Sequence, residues 1–159
     1  MNPAADDKKQ LQSKMPVSDD ELLGELLFGP ALMRHGSELN DAELARITSE
    51  TFPARSFCIV RIWMLIDVEF TPRLVRLLEK DDLSPTVLYA NSTTYAADAQ
   101  SDTSHGVLSG FQRKYQDCFF ETEDMIYVLA GRGARKSAGV PTVFALAEKC
   151  GRDFRRNHD

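Results

Sequence analysis

The stretch FCIVRIWMLIDVEF, Phe57 to Phe70, decides how the rest of the chain is read. At a period of two, Cys58, Val60, Ile62, Met64, Ile66, Val68 and Phe70 fall on one face. The other face changes from Phe57, Ile59, Trp63 and Leu65 to Asp67 and Glu69. This is a strand pattern with one face fully apolar and the other apolar for most of its length, so it belongs at the centre of a core. Its length is unusual for one strand, and a bend or hairpin near Arg61 to Trp63 is the alternative. Trp63, on the same side as Phe57 and Ile59, reads as core or subunit interface rather than as a ligand platform.

Upstream, Ser18 followed by Glu21 forms a capping box, and Leu22, Leu23, Leu26 and Leu27 make a helical stripe that stops at Gly29-Pro30. Asn40 or Asp41 caps a second helix through Leu44 and Ile47 that ends before Pro53. Downstream, Thr71-Pro72 opens a helix in which Leu74, Val75, Leu77 and Leu78 supply a buried face. A strand follows from Thr86 to Tyr89 and onward toward Tyr95, and Ala96 to His105 reads as an exposed loop. Val107 to Gln116 fits neither period cleanly. Residues 118–121 and 125–129 read as a hairpin around Thr122, Glu123 and Asp124. A connection, Gly131 to Ser137, then leads to a last helix carrying Val143, Phe144, Leu146 and Ala147 and ending at Gly151.

These elements predict an α+β fold: a mainly antiparallel sheet of about four to five strands with helices packed on it, two acidic N-terminal helices and one C-terminal helix. Residues 1–16 read as a disordered tail, 17–151 as a single domain and 152–159 as a frayed charged tail. An apolar content of 43% over 159 residues suffices for one core. The longest apolar run is too short to span a bilayer and the N-terminus lacks a secretory pattern, so the expected address is the cytoplasm, with no membrane contact.

The net charge of −5 hides an asymmetry: residues 1–129 carry 12 basic and 21 acidic side chains, whereas 130–159 carry 7 and 3. The basic end makes nucleic acid a weakly supported partner, since the interleaved aromatics of a single-strand platform are missing. Cys58, Cys118 and Cys150 lack paired spacing, and His35, His105 and His158 are isolated, so no metal site and no cofactor is expected.

Chemistry concentrates in Gly131, Arg132, Gly133, Arg135, Lys136 and Ser137, where glycines, cations and a helix start make a candidate anion site. Arg135 stands where a Walker loop needs glycine, so nucleotide hydrolysis is not supported. A solvated strand-to-helix connection is the plainer reading of the segment. Cys118 with His105 and an orienting Asp117 or Asp102 has the composition of a thiol triad without a local signature, and a buried packing cysteine is favoured. Glu121 and Glu123, with Asp124 beside them, place paired carboxylates at a hairpin tip, where solvated charge is the common case. The acidic first helix, with Asp19, Asp20, Glu21 and Glu25, offers a candidate interaction surface.

The segments Cys118-Phe-Phe-Glu-Thr122, Tyr127-Val-Leu-Ala-Gly131, Gly133-Ala-Arg-Lys136 and Ser56-Phe-Cys-Ile-Val60 resemble an uncharacterised family of small bacterial and phage-associated proteins, over about residues 20–147. The resemblance carries no activity and no catalytic residue. Arg61-Ile62-Trp63 departs from the more turn-like segment it leads one to expect. By subtraction, the chain reads as a non-enzymatic protein-binding or regulatory module, and the resemblance together with the acidity suggests a mobile-element inhibitor of a host defence complex. The alternative is a small enzyme whose phosphorylated or carboxylated ligand is held by residues 131–137 with Glu121 or His105 nearby. A protein partner is expected, and a homo-oligomer is left open.

Overall fold

Ser18, Asn40 and Thr71 each accept a hydrogen bond from the backbone N–H three residues on, at Glu21, Glu43 and Leu74, and so fix the starts of three helices. The computed structural model describes residues 18–96 and 106–151. The readings made for the N-terminal tail, for His105, Asp102 and the rest of 97–105, and for 152–159 lie outside the described residues. In chain order the elements are α1 (Asp19–Phe28), β1 (Leu32–His35), α2 (Asp41–Thr51), β2 (Phe57–Glu69), α3 (Pro72–Lys80) and β3 (Thr86–Ala96). There follow β4 (Val107–Leu108), β5 (Lys114–Gln116), β6 (Phe119–Glu121), β7 (Ile126–Leu129), β8 (Arg132–Gly139) and α4 (Val140–Lys149).

The sheet corrects the sequence expectation. Among the described residues it has eight strands, it is mixed rather than mainly antiparallel, and it curls into a half-barrel, with strand β1 standing between the first two helices. β2 is a single long strand and not a hairpin. One of its edges pairs antiparallel with β3, while the other is shared by two parallel partners, β7 along Phe57 to Val60 and β8 along Trp63 to Glu69. β6 and β1 pair antiparallel with the far sides of β7 and β8. The segment read as a basic connection, residues 131–137, is therefore mostly strand β8, held on both sides. Composition suggested a loop; pairing with β1 and β2 overrides it.

The curl has a local cause. Ile62 adopts a left-handed backbone conformation (φ 53°), and opposite it the chain turns at Gly131 (φ 69°) between β7 and β8. Gly36 and Ser37, just after β1, bond to the same junction through Gly36 N–H to Gly131 O and Ser37 N–H to Leu129 O. A side chain on Gly36 would strike the Leu129 carbonyl, so the close approach needs glycine. Three neighbouring strands thus break along one line, and the sheet bends there.

The break also shifts which residues share a face. Before Ile62, Cys58 and Val60 face the inner core, and after it Trp63 and Leu65 do, together with Leu88, Phe120, Tyr127 and Leu129. Phe57 and Ile59 instead pack beneath α2 with Leu44, Ile126 and Val128. Met64, Ile66 and Val68 pack beneath α1 and α4 with Leu26, Leu146 and Ala147. The uniform face inferred by strict alternation does not exist, and Trp63 shares no face with Phe57 and Ile59. A second expectation fails at α3: the helix forms where its cap and proline predict, yet none of its residues is buried.

Candidate functional site

Two depressions flank the C-terminal end of α1. The larger, about 760 Å³, is lined by charged and apolar groups together and runs beside α1 along β8. Into it project Glu25 of α1, Arg34 of β1, Asp67 and Glu69 of β2, and Arg135, Lys136 and Ser137 of β8. Three of its charged residues, Asp67, Arg135 and Lys136, have partners within the chain. Arg135 donates from Nε and Nη2 to both carboxylate oxygens of Asp67, each at 2.8 Å, and Thr86 Oγ1 donates to the same carboxylate at 2.7 Å. The Arg135 guanidinium, with the Thr86 hydroxyl helping against partial burial, holds the Asp67 carboxyl below the usual range. Lys136 Nζ donates to the carbonyls of Leu26 and Gly29, the open end of α1, and burial lowers its pKa. Gly133 lies flat against the Trp63 indole, whose Nε1 donates to Ala130 O at 3.2 Å.

Of the six residues proposed from sequence for anion binding, Arg135 and Lys136 thus have intramolecular partners, Gly131 and Gly133 shape the bend, and Ser137 is exposed. Of these six, Arg132 is the one exposed cation, and it makes no ion pair among the described residues. Glu121 is not brought to this cleft; it faces Arg55 at 4.0 Å on β6. Glu123 and Asp124 are exposed in the turn after it, where Thr122 is bonded to Met125. Asp19, Asp20 and Glu21 are exposed on the first turn of α1. Cys118 is half-buried with its thiol pKa raised by burial, and burial pushes Cys58 up to about 12. Among the described residues, no cluster of three His, Cys, Asp or Glu is placed to hold a metal ion.

The second depression, about 450 Å³, lies at the bend, where α1 and α4 end and leave the sheet uncovered. Its floor is Met64, Tyr89, Ala134 and the Trp63–Gly133 contact; its walls are Leu27, Phe28, Met33 and Ile62. Phe28, Ile62 and Met33 are 87%, 69% and 61% exposed, an unusual amount of large apolar side chain to leave in water around one hollow. Among the described residues its charged members are Arg132 and Lys149, the latter 6.0 Å from the centre of the Tyr89 ring. On a chain of net charge −5 this is a cationic rim around an apolar floor.

Ile62 is the decisive residue. A β-branched side chain in the left-handed region is strained by about 1 to 3 kcal/mol, and here the strain leads the side chain out of the core and into the groove. β1, whose four residues are all exposed, ends the strand order of the sheet next to the same groove. Sequence reasoning missed Phe28, Met33 and Ile62 because each looked like a member of a periodic pattern or of a turn. The one signal present was the departure at Arg61-Ile62-Trp63.

The sequence model of a family described as a domain of unknown function (DUF6957) matches residues 35–145. The match takes in Ile62, Trp63, Arg132 and the whole of α3, and leaves Phe28, Met33 and Lys149 outside. No curated protein and no solved structure matches the chain.

Proposed function

We propose that this chain, which belongs to the domain of unknown function family DUF6957, is a non-enzymatic protein-binding module that engages its partner through the groove at the bend of the sheet. The observation that carries the reading is Ile62: a strained, β-branched residue that stands outward beside Phe28 and Met33, 69% exposed and so contributing little to packing among the described residues. Burying apolar side chains of this size contributes roughly 1.5 to 3 kcal/mol each, the scale of an interface anchor. Arg132 and Lys149 would select a partner segment carrying acids beside its apolar anchor. Inhibition of a host defence complex is one role such a module could fill; it rests on the acidity of the chain and the sequence resemblance alone.

Binding and stability should respond to a change at Ile62 in opposite directions, which gives the test. Ile62→Gly relieves the left-handed strain while losing little buried surface, so the melting temperature should stay level or rise. Capture of partner from the cells that make the protein should nevertheless fall at least about tenfold, the equivalent of ~1.4 kcal/mol. Undiminished capture by Ile62→Gly and by Ile62→Asp would remove the groove from the interface.

A further inference from the structure

Helix α3 is specified by its own sequence, yet none of its residues is fully buried; Val75 and Leu78 are half-buried and the rest exposed. Thr71 caps its N-terminus, Pro72 occupies the first turn, and it is inserted between β2 and β3, whose pairing reaches Asp67 opposite Thr86. At about 100° per residue, Leu74, Leu77 and Leu78 occupy one arc of roughly 100°. Leu74 and Leu77 are 43% and 47% exposed. Arg73, Arg76 and Lys80 fall within an adjoining arc of roughly 60° by the same geometry. All three are exposed, and none makes an ion pair among the described residues. Leu78 turns partly inward, whereas Leu74 and Leu77 leave the outer part of the apolar stripe uncovered by the described residues.

We infer that α3 is a second docking element, independent of the groove at the bend, that lays Leu74 and Leu77 into an apolar groove of a partner protein carrying acidic side chains along one rim. The one-sided placement of the cations selects this occupant. A second copy of the chain in antiparallel pairing would set the same flanks together, with Arg73 opposite Lys80, which is repulsive. An anionic bilayer is met best by cations on both flanks of the apolar arc, whereas Asp81, one residue past the helix, continues the turn onto the apolar side. A protein groove with one acidic rim satisfies both the leucines and the cationic flank.

The experiment places a photo-cross-linking amino acid at Leu77 of the full chain, expressed in the cells that make it. The expected result is one discrete protein adduct whose cross-linked peptide, read by mass spectrometry, carries Asp or Glu beside apolar residues. Combined Arg73→Glu, Arg76→Glu and Lys80→Glu should cut the adduct at least about tenfold, while Lys114→Glu, exposed on β5, should not. Because every substituted residue is exposed, melting temperatures should match that of the unsubstituted chain; if the triple reversal lowers its own, Arg73→Gln with Arg76→Gln gives the same reading at smaller amplitude. The inference is overturned by absence of an adduct, by an adduct indifferent to charge reversal, by an adduct with a second copy, or by co-flotation with phosphatidylglycerol and phosphatidylcholine vesicles that depends on Leu77.

Discussion

Asp67 is a charged residue with a structural role. Alternation placed it on the polar part of β2, and there it is held by both arms of Arg135 and by Thr86, tying β2 to β8 and β3. Its carboxyl pKa is lowered in the folded chain, chiefly by Arg135, so it adds stability above the unfolded carboxylate value of about 3.9. That contribution is lost as the pH falls through the lower folded value. Asp67→Asn should therefore be less stable than the unsubstituted chain near pH 7, and the gap should close as the pH drops below about 4. Urea titrations across that range check it, and a gap that widens in acid would contradict the assignment. The same interactions draw Arg135 away from ligand duty, leaving Arg132 as the cation of that segment free to meet a partner.

Elements were legible where one local rule settled them. The helix starts at Ser18 and Thr71 follow from side-chain caps that need only the next turn to operate. The run from Phe57 was legible as a central strand because both faces are buried. Its length also pointed to a bend near Arg61 to Trp63, and the bend falls there at Ile62; the left-handed backbone itself was not legible, since a β-branched residue is the last choice for such a position. β8 was hidden for the opposite reason: Arg-Gly-Ala-Arg-Lys-Ser has a loop's composition, and its strand state comes from partners distant in sequence. Gly133, which looked like a turn residue, is a packing residue. A methyl group there would overlap the Trp63 ring, which is buried and bonded to Ala130, so Gly133→Ala should destabilise by about 1 to 3 kcal/mol in denaturant unfolding. An unchanged midpoint would show that the indole can move aside.

Across the whole molecule, the bend is what joins fold to function. By breaking β2, the β7–β8 junction and the chain after β1 along one line, it lets α2 cover one half of the sheet and α1 with α4 the other. The uncovered strip between those layers is the apolar groove with its cationic rim. The candidate site was illegible in sequence because its lining comes from α1, β1, β2, β3, β8 and α4, and no single segment carries a motif. Acidic helices and a basic segment stood out by composition, yet the hollow is lined by apolar residues that resemble core until the bend exposes them.

The most direct measurement is a photo-cross-linking scan of the full chain in the cells that make it. Probes replace Phe28, Met33 and Ile62 in the groove and, one at a time, the exposed Glu50, Gln116 and Glu123 elsewhere. The groove positions should capture the same protein, and the three distant positions should capture nothing in common with them. Silence at Phe28, Met33 and Ile62, with that protein captured instead from Glu50, Gln116 or Glu123, would contradict the account.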